Sequence, residues 1–195
     1  MVSAIVLADD ESSQIGSPRA LLRIGEKTFL QHIVDVLISA RVLDIVLVLG
    51  TNAAEIQKSF DWFKGKVVLK GSQQRGELSS ILAGLCVVEE KDLHGILVWP
   101  VERPLVTQVV IVEMLHKFWT QHKSIVVPSC NGRRGYPILV GKALLPELEK
   151  ASINLDMHAI VSNHPEEIIE YQTDNEGVVI SIDTPEVYEE KIVRG

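Results

Sequence analysis

Residues 2–22 read VSAIVLADDESSQIGSPRALL: an apolar run, Val2–Leu7, then a polar loop, then the opening of the next apolar segment. A run so nearly continuous in β-branched and aliphatic residues suits a strand buried on both faces. The loop after such a strand is where α/β proteins commonly cradle phosphates, with glycine permitting close backbone approach and a cation supplying charge. Gly16, Ser12, Ser13 and Arg19 fit that role. Asp9, Asp10 and Glu11 do not, since three carboxylates against one arginine leave the loop at a charge of −2. A solvated acidic turn that caps a helix accounts for the same residues without any ligand.

The alternation continues outward. Ile45–Leu49, Val67–Leu69, Gly95–Trp99 and Ser124–Val127 are further buried-strand candidates, separated by the helical stretches Thr28–Ala40, Ala53–Phe63, Leu78–Glu89 and Thr107–Gln121. In the first of these, Leu30, Ile33, Val34 and Leu37 recur at helical spacing and share one face. Strands alternating with helices predict an α/β fold of three layers, a Rossmann-like, mostly parallel sheet covered on both sides. After Pro128 the pattern changes. Asn131-Gly132 signals a turn, Tyr136–Val140, Glu167–Gln172 and Val178–Asp183 read as strands, and Thr184 caps a last helix that opens at Pro185. Late hairpins of this kind make the sheet mixed. Ligands of such sheets bind beyond the carboxyl ends of the strands. Four segments of unusual composition converge there: residues 8–19, 71–80, 100–106 and the neighbourhood of Asp183.

Composition bounds the rest. A chain of 195 residues, 46% hydrophobic and 23% charged, is that of a globular protein, and we expect one domain over residues 1–195. Nineteen basic against 26 acidic residues leave a net charge of −7, which argues against non-specific nucleic-acid binding. The two cysteines, Cys86 and Cys130, form no CxxC or Cys/His cluster, so a structural zinc site has no ligand set. A reduced, cytoplasmic setting is expected, since the N-terminus has neither the basic lead nor the apolar length of a signal peptide and no segment suits a membrane span. The six histidines show no ligand spacing, and Trp62, Trp99 and Trp119 are read as packing residues.

The loop 7–22 resembles the LAAGxSxRMGxPKxLL signature of MobA-like nucleotidyltransferases, through Leu7, Ala8, Ser12, Gly16, Pro18, Leu21 and Leu22. Asp10 stands at the glycine of that signature, Gln14 at its arginine and Arg19 at its lysine. Gly25–His32 (GEKTFLQH) is similar to the segment opening the family's first helix. Gly76–Leu85 (GELSSILAGL) is similar to its glycine-serine segment beside the nucleotide base. Pro100–Thr107 (PVERPLVT) resembles PVDxPLVT, with Glu102 at the metal-binding aspartate. Asn131–Leu139 (NGRRGYPIL) resembles the RRGHP element of the second-substrate pocket, and VVISIDTPEVY resembles the closing LLIDIDTPEDY, with Ser181 and Asp183 on one strand face.

The resemblance implies a nucleotidyltransferase fold and transfer of a nucleotidyl group from CTP or GTP to a phosphorylated acceptor such as molybdopterin, with Mg²⁺ or Mn²⁺. It implies Arg19 and Glu102 as catalytic residues and Glu102 and Asp183 as metal ligands. Ala8, Asp10, Ser12, Gln14, Gly16, Arg19, Gly76, Ser79 and Ser80 would bind nucleotide, and Arg134, Gly135, Tyr136 and Pro137 the second substrate. The departures weaken anion binding. Glutamate at 102 moves the carboxylate by about 1.5 Å, and two carboxylates about 5 Å from a phosphate would each cost roughly 3 kcal/mol at an effective dielectric near 20. Asp9 or Asp10 joining Glu102 on a metal would offset this. Two other readings compete with active transfer: a non-catalytic relative that binds a cofactor precursor, nucleotide or protein, and a sugar-phosphate nucleotidyltransferase.

Overall fold

The computed structural model describes residues 1–9, 15–71, 76–89, 91–152 and 155–195. The chain opens with β1 (Val2–Ala8), a short 3₁₀ turn at Arg19–Leu21, and the small antiparallel pair β2 (Arg23–Ile24) and β3 (Lys27–Thr28). Helix α1 (Phe29–Ser39) follows, then β4 (Asp44–Leu49), α2 (Ala53–Gln57), β5 (Lys66–Leu69), α3 (Glu77–Leu85), β6 (Gly95–Pro100) and α4 (Gln108–Gln121). The last part contains β7 (Ile125–Cys130), β8 (Arg133–Arg134), β9 (Ile138–Gly141), α5 (Leu145–Lys150), α6 (Met157–Ser162), β10 (Ile168–Gln172) and α7 (Pro185–Tyr188).

The sheet runs in the order β10-β7-β9-β6-β1-β4-β5, with β8 beside β7. Strand β1 pairs in parallel with both β4 and β6, β4 with β5, and β10 with β7. Only β9, between β6 and β7, and β8 run antiparallel to their neighbours. The pleat divides each central strand between two cores. Ala4 and Val6 face the layer of α1 and α4, with Ile33, Leu37, Ile111 and Met114, whereas Ile5 and Leu7 face Leu78 and Ile81 of α3 and Leu148 and Met157 of the later helices. These are the three layers that the sequence predicts, in a mixed, mostly parallel sheet. No helix of the described residues is long and apolar enough to cross a membrane. Cys86 is exposed and Cys130 buried, and both are free.

Local chemistry explains most boundaries. Thr28 accepts from the Gln31 amide at 3.1 Å while Gln31 Oε1 accepts from the Thr28 amide at 3.0 Å, a capping box that starts α1. Thr184 caps α7 through the Val187 amide. Asn131 and Gly132, with φ of 51° and 73°, make the tight turn between β7 and β8.

Three expected elements differ, the first being α3, which ends at Leu85 rather than Glu89. Helix α2 ends at Gln57 rather than Phe63, because Phe60, Trp62 and Phe63 turn inward to pack edge to edge on one another. Residues 178–183 are not a strand, and Ser181 and Asp183 therefore share no strand face. A 3₁₀ turn at Glu176–Val178 leads into an irregular segment whose backbone bonds to two different loops: the Val178 carbonyl accepts from the Tyr136 amide at 2.9 Å, and the Ile182 amide donates to the Glu102 carbonyl at 2.8 Å. Val178 and Ile182 are fully buried, which is why their stretch has the apolar content of a strand without a ladder.

Gly135 makes this crossing possible, since a Cβ there would lie 1.9 Å from the Val178 carbonyl oxygen. Gly135→Ala is expected to lower stability by about 1–3 kcal/mol through forced displacement of that segment. A urea titration followed by fluorescence measures it, and an unchanged midpoint would show that the segment yields freely.

Candidate active site

Strands β1, β4, β5 and β6 all end at one edge of the sheet. The chain winds from β1 towards β4 and β5 on one side, and later places β6 on the other, so the topological switch lies between β1 and β6. The Val101 amide donates to the Leu7 carbonyl there at 2.9 Å, which sets the ends of β1 and β6 side by side. Ala8 is the buried last residue of β1. Of the residues expected to bind nucleotide, Asp10, Ser12 and Gln14 lie outside the described residues. Gly16 is exposed with φ of 80°, a conformation that suits glycine.

Asp9 is not the free anion that the loop's composition suggests. Lys70, directly after β5, places its ammonium 2.7 Å from Asp9 Oδ2 and 2.8 Å from Ser80 Oγ, with the Gly76 carbonyl at 3.3 Å. Ser80 also donates to Asp9 Oδ2. The Lys70 side chain is only 3% exposed and that of Asp9 20%. Ser79 donates to the Gly76 carbonyl at 2.7 Å. Asp9 thus lies in a buried, charge-balanced lock that fastens the end of β1 to the first turn of α3. It is engaged by Lys70 and Ser80 rather than turned to a metal with Glu102. One carboxylate of the expected electrostatic penalty is thereby compensated.

Glu102, Arg19 and Asp183 come from three distant parts of the chain and meet at the switch point. Arg19 Nη2 lies 3.4 Å from Asp183 Oδ1, and the backbone bond from Ile182 to Glu102 holds the closing segment over the end of β6. The Glu102 carboxyl is pushed up to about 7, chiefly by burial and further by the Asp183 charge, against the opposing pull of its backbone bond, Arg19 and Arg103. The donor chemistry suits a hard divalent cation. Among the described residues no group of three or more His, Cys, Asp or Glu converges. Two carboxylates with the remaining positions left to water and phosphate oxygens is how Mg²⁺ is commonly held.

The residues expected to meet a second substrate form the adjoining wall. Arg134 pairs with Glu170 at 2.9 Å, Gly135 and Pro137 are buried, and the Tyr136 hydroxyl donates to Glu77 Oε1 at 2.5 Å. Glu77 Oε2 accepts from the Met157 amide at 2.7 Å, which ties α3 to α6. Burial pushes the Glu77 carboxyl and the Tyr136 phenol up and the His158 imidazole down. Arg103 lies over the Tyr136 ring at 5.3 Å, and His158 meets it edge-on at 4.8 Å.

Sequence reasoning missed Lys70, Glu77 and Arg103 as members of this site. Lys70 carried a usable signal, because a lysine immediately after a parallel strand sits at the ligand edge of the sheet. Glu77 and Arg103 carried none beyond membership of convergent segments.

A mostly parallel three-layer sheet, with an acidic pair and a glycine-led helix at its switch point, defines the class: an α/β protein of the nucleotidyltransferase type. The chain belongs to the MobA-like NTP transferase domain family, which matches residues 4–168. A probable molybdenum cofactor guanylyltransferase of Bacillus mycoides (strain KBAB4) is 31% identical over 132 residues, covering 68% of this chain and 64% of that protein. The chain therefore spans just under two thirds of that curated relative's length. Among solved structures, Rv0371c from Mycobacterium tuberculosis H37Rv is similar with a TM-score of 0.85 and 21% identity, over 98% of this chain and 97% of that one. Rv0371C in complex with manganese is similar with a TM-score of 0.80 and 18% identity, over 100% of this chain and 99% of that one.

Two outcomes check this geometry. Lys70→Met should cost about 3–5 kcal/mol by leaving Asp9 buried and unpaired. The double variant Asp9→Ala/Lys70→Met should recover much of that loss in denaturant titrations, and full additivity would break the lock. The proton on Glu102 is held more tightly in the folded chain than at the ordinary 4.5, so wild-type stability falls as pH rises from about 4.5 to about 7. Glu102→Gln should therefore stabilise the metal-free protein by about 1–3 kcal/mol at pH 8, with the gain shrinking towards pH 5. A pH-independent difference in Tm would contradict the assignment.

Proposed function

We propose that this chain transfers a nucleotidyl group from a nucleoside triphosphate, GTP in preference to CTP, to a phosphorylated acceptor of the molybdopterin kind. The observation that carries the reading is the meeting of Glu102, Asp183 and Arg19 at the switch point between β1 and β6. Family membership and similarity to the probable guanylyltransferase of Bacillus mycoides support the choice of guanylyl transfer.

In this reading an acceptor phosphate oxygen attacks the α-phosphorus, a new P–O bond forms, the bond to the β-phosphate breaks, and pyrophosphate leaves. The protein's part is positioning and charge stabilisation. Arg19 contacts the triphosphate with a forked, permanently charged donor set, and its ion pair with Asp183 fixes its direction. Glu102 and Asp183 would hold Mg²⁺ or Mn²⁺, which would supply Lewis-acid neutralisation of phosphate oxygens. The Gly76 turn, with φ of 92°, and the first turn of α3 border the base, with Ser79 and Ser80 already oriented by the Gly76 carbonyl and Lys70. Arg134, Gly135, Tyr136 and Pro137 border the acceptor.

A thermal-shift panel of GTP, CTP, ATP and UTP with Mn²⁺, Mg²⁺ or EDTA tests the binding half. At saturating ligand, GTP with metal should raise Tm by about 5–10 °C, and Glu102→Ala should abolish the rise. No response to any triphosphate with metal would sink the reading. A response to CTP alone would retain the reaction class and reverse the base.

A further inference from the structure

We infer that Arg103 is the binding residue for a phosphate monoester oxyanion, held between Glu102 and the Tyr136 ring. Among the described residues three arginines border the crevice. Arg19 is paired with Asp183 and Arg134 with Glu170, but among the described residues no carboxylate forms an ion pair with Arg103. Its side chain is half-buried, and its Nε is buried without a hydrogen-bond acceptor among the described residues. Among the described residues its guanidinium makes one hydrogen bond, a long one from Nη1 to the Val178 carbonyl at 3.3 Å. A half-buried cation with an orphan buried donor favours an anion, because a buried donor left without a partner is costly.

The surroundings fix the guanidinium rather than neutralise it. The Arg103 carbonyl accepts from Trp99 Nε1 at 3.1 Å, which anchors its backbone to β6. Its guanidinium stacks over Tyr136 at 5.3 Å, and that ring is itself held by the Tyr136–Glu77 bond. A planar fork locked on an aromatic face matches phosphate geometry with two parallel donors. Tyr136 offers this anion no hydroxyl, since Glu77 occupies it. The acceptor-side wall therefore reads charge through Arg103, with Tyr136 as its platform. Naming the anion as the acceptor's phosphate rests on the transferase reading above, whereas the anion site itself does not.

The test uses inorganic phosphate and phenyl phosphate in EDTA, and separately GTP with Mn²⁺, on wild type, Arg103→Gln and Arg103→Lys, with folding checked by circular dichroism. Wild type should bind both phosphates in the millimolar range by calorimetry. Arg103→Gln should weaken them roughly tenfold, Arg103→Lys should retain part of the affinity, and GTP–Mn²⁺ affinity should fall by a smaller factor than phosphate affinity does. If wild type binds phosphate through Arg103 yet ignores every triphosphate, the oxyanion site stands and the transferase reading falls. Equal phosphate affinity in wild type and Arg103→Gln overturns the inference, as does a loss of GTP as large as the loss of phosphate.

Discussion

Strand β1 is hydrogen-bonded on both edges and buried on both faces, and every part of the candidate site hangs from that constraint. With β4 on one side and β6 on the other, its residues can be only apolar or very small, and Val2–Ala8 are all buried. A strand in that position has one free end. The chain leaving it at Asp9, the chain leaving β6 at Val101 and the first turn of α3 are forced into the same small volume. Convergence of site residues is thus a consequence of sheet topology before it is one of chemistry.

What the topology brings together is highly charged, and the pairs are settled locally. Asp9 and Lys70 neutralise each other within the wall, with Ser80 and the Gly76 carbonyl completing the lysine's bonds. Arg19 offsets part of the Asp183 charge, while Glu102 answers burial by holding its proton more tightly. A cleft assembled in this way offers a triphosphate little net attraction of its own. A divalent cation held by Glu102 and Asp183 would supply the missing positive charge and, by favouring the carboxylate, would oppose the pull that burial exerts on Glu102.

The sequence was informative where a residue's role is local. The apolar runs of β1, β4 and β6, the capping box at Thr28, the Asn131-Gly132 turn and the Thr184 cap each depend on neighbours a few positions away. Residues 178–183 misled for a definite reason: full burial of Val178 and Ile182 demands the same apolar side chains in an irregular segment as in a strand. Pairs that decide the site's charge were hidden because their members lie far apart. Asp9 meets Lys70 across 61 residues and Tyr136 meets Glu77 across 59. No periodicity encodes such partners. Counting Asp9 as a free charge was therefore an error of context, not of chemistry.

The two walls of the crevice differ in how they treat their cations, and this difference gives the site a direction. Arg19, at the β1 side, is paired with the half-exposed Asp183, and a metal that took up Asp183 would free it for phosphate. Arg103, on the Tyr136 side, has no such carboxylate to release among the described residues. Anion capture at Arg19 therefore competes with Asp183 directly, whereas at Arg103 it displaces no paired carboxylate among the described residues. Glu102 lies between them in the same electrostatic field, drawn down by both arginines and pushed up by Asp183. An anion arriving at Arg103 removes one of those stabilising charges and makes the Glu102 carboxylate harder to keep ionised, unless the cation is already in place. If Glu102 and Asp183 hold a cation, these electrostatics favour anion capture at Arg103 once that cation is in place.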